Sequence, residues 1–332
     1  MFAPLNIIWK EDCNTMNTKL YAIKAKKIDI QKNSSSGGAF VILSDYVFSC
    51  GGVVACSVYD YSKHTLKFKI IHNTEERYHA IGSKYVQSNI GNIYQECYQW
   101  IRDNPGKKLM FVGMGCQAAA FQTFSQEKGI RDSVIIVDII CHGVPSPQMW
   151  KDYAQYIENR YHGTISYLTF KDKRNGWNRP TAVVKVNGNE ILLRDYVRVF
   201  NSGMALRPSC HCCPYTCITR TVDITIGDYW GIEKSHPEFM SELGVSILMT
   251  HSRLGEYVFE NVKTKVDWIE TNKKDCKQSQ LHYPTKKSDN REQFWKEYKA
   301  NGIKYVMHKY GDLSVTEKLR YKIRTLKKMF KR

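Results

Sequence analysis

The sequence has no apolar run of bilayer length, no basic start followed by a long apolar core, no internal repeat and no low-complexity linker. The first absence argues against a membrane-spanning helix. The second predicts that no secretory signal is present, and the other two leave a globular chain. Acidic residues are scarce as well: 32 Asp and Glu stand against 49 Lys and Arg, a formal charge of +17. Such a surplus implies an anionic partner, whether phosphate, nucleic acid or an acidic membrane surface, and charge alone does not choose among them. With 332 residues, 42% hydrophobic and 12% aromatic, the chain can bury a large core and make one large or two moderate domains.

Cysteine is what the sequence has in excess. There are eleven, an odd number, and they cluster where a secreted disulfide scaffold would spread them, so a reducing cytoplasm fits best. In residues 207–217, Cys210, Cys212, Cys213 and Cys217 fall within eight positions. Closely spaced thiolates find a common use on a soft metal ion or a cluster. Cys210 and Cys213 form a C-x-x-C pair, and Cys116 and Cys141, each following an apolar run, are candidates for further ligands.

Residues 1–19 show little periodicity and read as a lead-in containing Cys13. Residues 20–150 read as an α/β region, 151–270 as a more antiparallel one and 271–332 as a charged helical tail, so the fold class is mixed α/β. A polar turn, Ser34, Ser35, Ser36, Gly37 and Gly38, leads into a helix over 41–47. It reads either as an anion site at a helix N-terminus or as a plain N-cap with glycines easing the turn. A buried strand follows over 51–59, with Cys50 just before it and Cys56 within it read as small apolar core residues. The loop Gly82, Ser83, Lys84, Tyr85, Val86, Gln87, Ser88 has the composition to hold a phosphate or a heterocycle edge, although an ordinary surface loop looks similar. A helix is expected over 91–104.

Two runs, 108–117 and 134–145, are apolar strands that break into glycine around a cysteine. Parallel pairing through a helix over 117–125 would put their carboxyl ends on one edge, where ligands bind in open α/β sheets. Cys116 and Cys141 would then approach each other; taken singly, each also reads as an inert buried cysteine. Beyond Trp150 the texture changes to a strand over 165–170, a hairpin over 182–193 turning at Asn187 and Gly188, strands over 222–226 and 244–250, and a helix over 256–262. The last sixteen residues carry eight Lys or Arg, with Leu319, Ile323, Leu326 and Phe330 spaced 4, 3 and 4. That is a basic amphipathic helix, which packs on its own protein or meets an acidic membrane surface or partner.

In this order the motifs resemble the coenzyme F420 hydrogenase/dehydrogenase beta-subunit family, a group of iron-sulfur flavoproteins. The resemblance rests on residues 34–38, 82–88, 115–117, 140–147, 207–213 and 223–231. It implies binding of FAD and a 4Fe-4S cluster, with electrons moved between a hydride-type cofactor or small substrate, a sugar-linked molecule among the candidates, and an iron-sulfur partner. Carried over position by position, Cys116, Cys141, Cys210 and Cys213 are the implied cluster ligands. Residues 34–38 and 82–88 are the implied FAD site, with Lys84 offering positive charge to the pyrophosphate or ring. Cys212 and Cys217 are then surplus, and no catalytic residue is named. Where the family often shows Gly-Thr-Pro-Cys-Gln, this chain has Gly113, Met114, Gly115, Cys116 and Gln117. Only Cys13 stands where many relatives carry a ferredoxin-like domain, so the expected electron partner is a separate ferredoxin-like protein.

Two other readings stay open at this stage. In one, Cys210, Cys212, Cys213 and Cys217, with His211, hold zinc in a basic module for nucleic acid, although their spacing is compressed for one tetrahedral ion. The other is a non-redox scaffold that keeps the fold.

Overall fold

The computed structural model describes residues 18–311; Cys13 and the basic helix expected over 317–332 lie outside them. The described chain begins with β1 (Lys19–Ala25), a short helix (Ile28–Asn33) and the serine-glycine turn that launches α1 (Ala39–Ser49). Next come β2 (Val53–Asp60), β3 (Thr65–Ile71), the two-residue β4 (Ser88–Asn89) and α2 (Ile93–Asp103). The central unit is β5 (Leu109–Met114), α3 (Gly115–Glu127), β6 (Val134–Ile139) and α4 (Pro147–Tyr161). A small sheet follows, β7 (Ile165–Asp172), β8 (Thr181–Val186) and β9 (Asn189–Leu192), capped by α5 (Arg194–Asn201). The chain then returns through β10 (Ile224–Asp228), β11 (Ser246–Thr250), α6 (Arg253–Val262), β12 (Val266–Thr271) and α7 (Arg291–Val306).

The large sheet has the order β12-β1-β11-β10-β6-β5-β2-β3-β4. Its centre, β10-β6-β5-β2, is parallel, and β1, β11 and β12 join antiparallel on one side. The class is therefore mixed α/β, with a separate antiparallel sheet β7-β8-β9. Parallel central strands are covered on both faces, which is why β5 and β6 read as unbroken apolar runs. Alternation still decides which face each residue serves. Met110, Val112, Ile135 and Val137 pack into the core under α1 and α6, while Leu109, Phe111, Val134 and Ile136 pack with α2 and α3.

The hairpin joins β8 to β9 at Asn187 and Gly188, with φ of 50° and 79°. Two consecutive positive φ values are what a two-residue primed turn demands, and Asn-Gly supplies them at least steric cost. The small sheet packs with α4, α5 and α7 around Trp150, Tyr153 and Tyr196. The charged stretch after residue 270 also reaches this core through Phe294, Val306 and Met307, each at most 1% exposed. Among the described residues, no helix is long and apolar enough to cross a membrane.

The topology fixes where chemistry can occur. Parallel strands β5, β6 and β10 end on one edge of the sheet, and three of the quoted motifs follow them there: Gly115 to Gln117, Ile140 to Pro147, and Asp228 to Gly231.

Candidate functional site

The carboxyl ends of these strands open into a cavity of about 400 Å³. The serine-glycine turn lines it through Ser34, Ser35, Ser36 and Gly38, and the 82–88 loop through Gly82, Ser83, Lys84, Tyr85, Val86 and Ser88. Met114, Gln117, Cys141 and His142 close the strand side. Gly37 and Gln87 are not part of this lining. Gly37 has a packing role: a β-carbon there would stand 2.3 Å from the Ile23 carbonyl oxygen and 2.8 Å from the Ser246 nitrogen. The turn crosses β1 and β11 at a distance only glycine permits.

Hydrogen bonds join the two loops. The Ser83 N–H donates to Ser35 Oγ at 2.6 Å, and the two hydroxyls lie 3.0 Å apart. Ser36 Oγ donates to the Val245 carbonyl at 2.7 Å, and Ser88 Oγ meets Ser57 Oγ at 2.6 Å. Among the described residues, no carbonyl accepts from the N–H groups of Ser35, Ser36, Gly37 or Gly38. Ser34 Oγ is buried without a partner, in a residue 9% exposed. These unspent donors lie at the start of α1, whose N-cap residue Gly38 provides no side-chain cap, so the turn offers positive potential toward the cavity.

Lys84 is placed differently from a lysine that reaches out to a ligand. Its ammonium donates to the carbonyls of Ala80 at 2.7 Å, Ile81 at 3.2 Å and Gly82 at 2.9 Å. Three N–H donors meet three carbonyls, so what remains for the cavity is charge. Burial pulls its pKa down to about 8, a fall that the Cys56 thiol opposes. Tyr85 is fixed by stacking on Phe200 at 4.2 Å and 5°, with its carbonyl accepting from the Tyr196 hydroxyl at 2.9 Å.

The structure brings Cys116, Cys141, Cys210 and Cys213 together. Cys116 is exposed in the first turn of α3 and Cys141 lies just beyond β6. Cys210 sits in a 3-10 turn (Pro208–Cys212) that Cys213 caps. Gly143 sets the approach of two of these segments: at φ 125°, a β-carbon there would be 3.1 Å from Cys210 Cβ. The Cys141 thiol is pushed up to about 12, first by burial, while the Gly143 N–H at 3.3 Å opposes the shift and Cys210, Cys116 and Cys213 add to it. Although part of Cys116 meets solvent, the protein packed around its thiol raises it in the same direction, first by desolvation and then through Cys213 and Cys210.

Among the described residues, no three His, Cys, Asp or Glu side chains meet at single-ion distance. Four thiolates on one zinc ion would lie roughly 3.8 Å apart, given a Zn–S bond of about 2.3 Å. His211 Nδ1 is engaged with the Thr285 carbonyl at 2.9 Å, and Cys212 is exposed.

Beneath the cysteines lies a buried ion pair. Arg220 Nη1 donates to Asp138 Oδ2 at 2.5 Å, and the Thr225 hydroxyl donates to Asp138 Oδ1 at 2.5 Å. The pair fastens the segment after Cys217 to β6. Several lining residues carried no sequence motif of their own: Lys171, Phe200, Asn201, Gln278 and Gln280. Lys171 pairs with Asp228, lies 5.3 Å from the Trp230 ring centre, and faces a Trp230–Trp177 stack at 4.8 Å and 9°. Asp228, Trp230 and His142 lay inside quoted motifs, and only their position facing the cavity is new.

Comparisons with known proteins agree with this architecture. A chain of the F420-reducing [NiFe] hydrogenase complex from Methanosarcina barkeri, solved in a xenon-derivatised form, superposes with a TM-score of 0.54 at 17% identity, covering 87% of this chain and 94% of that one. At that identity the likeness speaks for the fold alone. No curated protein sequence matches the chain. The family described as the C terminus of the coenzyme F420 hydrogenase/dehydrogenase beta subunit matches residues 106–276, the span from β5 through the cysteine-rich segment to β12. The chain belongs to that family, and with it to the oxidoreductases.

Proposed function

We propose that the chain is a FAD- and 4Fe-4S-dependent oxidoreductase that passes electrons between a separate ferredoxin-like protein and a hydride-type cofactor or small substrate. The observation that carries this reading is that one cavity is bounded by both expected FAD loops and by Cys141, one of four neighbouring cysteines. When bound, FAD would supply two-electron hydride exchange and the cluster single-electron transfer.

The residues suit both groups. An anionic pyrophosphate would satisfy the orphaned Ser34 hydroxyl and the unspent N–H groups of residues 35–38, the usual use of a serine-glycine turn at a helix start. Lys84 would add charge without a direct hydrogen bond. Cys116, Cys141, Cys210 and Cys213 would hold the cluster, two from the sheet edge and two from the C-x-x-C segment, with Cys212 and Cys217 outside the set. The same reading goes with a reducing cytoplasm, consistent with free thiols at all ten described cysteines, and gives residues 317–332 an acidic membrane surface or partner to meet.

Anaerobic purification tests it through iron, sulfide and flavin per chain. The full-length protein should carry four irons and one FAD, or take them up on reconstitution. Cys141→Ser should lose iron, whereas Cys50→Ser, exposed at the far end of α1, should keep it. Equal iron in the two variants refutes the ligand assignment, and a chain that takes up neither iron nor FAD refutes the function.

A further inference from the structure

Lys173 follows β7, in a part of the sequence remote from every motif, yet its side chain ends behind the serine-glycine turn. Its ammonium donates to the carbonyls of Gln31 at 2.7 Å and Ser36 at 3.0 Å, and to that of Leu243. These carbonyls belong to three segments: the end of the short helix, the turn itself and the approach to β11. Around them, Ser36 Oγ holds the Val245 carbonyl and the Ala25 N–H donates to the Gly37 carbonyl at 2.8 Å. The Ser36 and Gly37 carbonyls of the turn are thus engaged, while no carbonyl accepts from the N–H groups of residues 35–38.

This arrangement parallels Lys84, which gathers the carbonyls of Ala80, Ile81 and Gly82 where the chain enters the second loop. A buried ammonium needs its charge dispersed over good acceptors, and three carbonyls drawn to one point constrain the backbone that carries them. We propose that Lys173 is a positioning residue of the flavin site: by collecting the carbonyls of Gln31, Ser36 and Leu243, it holds the 34–38 turn with its N–H groups free for the pyrophosphate. The inference rests on the FAD reading above and adds to it a residue that touches no ligand.

The proton on Lys173 is then part of the site. Burial pulls its pKa down to about 8; Asp228 opposes that fall and Lys171 assists it. Of the remaining charges on its own segment, Asp172 is engaged with Arg174 at 2.7 Å. Loss of the proton removes one donor and the charge that holds three carbonyls together, so the turn should relax in alkaline solution. An arginine keeps its charge throughout that range.

The experiment titrates the full-length chain with FAD at pH 7 and pH 9.5, reading affinity by fluorescence with iron per chain measured alongside. Lys173→Met should bind FAD about tenfold to hundredfold more weakly at pH 7, the scale of one or two charge-assisted hydrogen bonds, with iron content unchanged. The wild type should lose affinity between the two pH values, and Lys173→Arg should lose less, keeping only the share of that loss that Lys84 contributes. Wild-type affinity in Lys173→Met overturns the proposal. So does an alkaline loss in Lys173→Arg equal to that of the wild type, which would assign the titration to Lys84. A wild-type chain that takes up no FAD at either pH overturns the flavin reading and this inference with it.

Discussion

Replacing Asp138 by Asn tests whether the ion pair beneath the cysteines secures the cysteine half of the site. The Asp138 and Arg220 side chains are 1% and 5% exposed, so neither charge is screened by water. Asparagine preserves shape and can still accept from Thr225, but its NH2 group stands where Oδ2 accepted from Arg220, so the guanidinium loses both its charge partner and its acceptor. Removing one partner of a buried pair strands the other, at a cost of about 3–5 kcal/mol. That is a large share of the roughly 5–15 kcal/mol by which domains are stable. Equilibrium urea unfolding followed by tryptophan fluorescence reads the loss. The double variant Asp138→Asn, Arg220→Met should be more stable than Asp138→Asn alone, because no stranded guanidinium remains. Gly115 ties this pair to the cysteines: a β-carbon there would lie 3.0 Å from Arg220 Nη1 and 3.3 Å from Asp138 Oδ2, so the turn carrying Cys116 rests directly on it. Iron per chain should therefore fall in Asp138→Asn. A loss below about 1 kcal/mol, the range of exposed pairs, would refute the reasoning, as would additivity in the double variant.

Two further expectations follow from buried geometry. His251 is held neutral, its pKa pulled down to about 3 by burial and then by Arg220. Its Nδ1 meets Thr18 Oγ1 at 3.1 Å and its Nε2 meets Thr225 Oγ1 at 2.8 Å. The unfolded chain takes up a proton near pH 6.5 that the folded chain refuses until about pH 3. This stability is therefore fully present above about pH 6.5 and lost as pH falls toward 3, by at most on the order of 5 kcal/mol; His251→Gln should flatten that part of the urea-midpoint profile, and an unchanged slope would contradict the assignment. Gly37→Ala should cost about 1–3 kcal/mol, since its β-carbon meets backbone on two strands that cannot easily give way; a thermal midpoint equal to that of the wild type would show that the crossing relaxes.

The central sheet was legible because its physics is local. β5 and β6 are covered on both faces, so each appears as an apolar run that ends in glycine, and their parallel pairing makes a shared edge for Cys116 and Cys141. The hairpin at Asn187 and Gly188 was legible for a similar reason, as two adjacent residues carry the whole turn. β3 went unread although Leu66 and Phe68 alternate with Lys67 and Lys69 as a half-exposed strand should. β12 shows only Val266 buried among six residues, as expected of an edge strand, and α7 is interrupted at Gly302, which breaks the 3.6-residue repeat that would announce it.

The cavity shows a different kind of blindness. A motif advertises residues that lie close together in sequence, and the wall built by residues 34–38 and 82–88 is of that kind. The opposite wall is made of single side chains, Lys171 near the end of β7, Phe200 at the end of α5, and Gln278 and Gln280 from the charged segment after β12. Each comes to the edge only because the chain leaves the large sheet after β6, builds the small sheet and returns as β10 parallel to β6. Lys173 is the clearest case. Nothing around it marks it out from the other 48 basic residues that the total of 49 leaves, and its three carbonyl partners are 142, 137 and 70 positions away. Composition gave the chain a basic surplus and so an anionic partner; the folded topology instead commits two of those lysines to shaping backbone behind the cavity. A count of positive charge therefore overstates what is free to touch a ligand, since both of these ammonium groups are spent on backbone carbonyls.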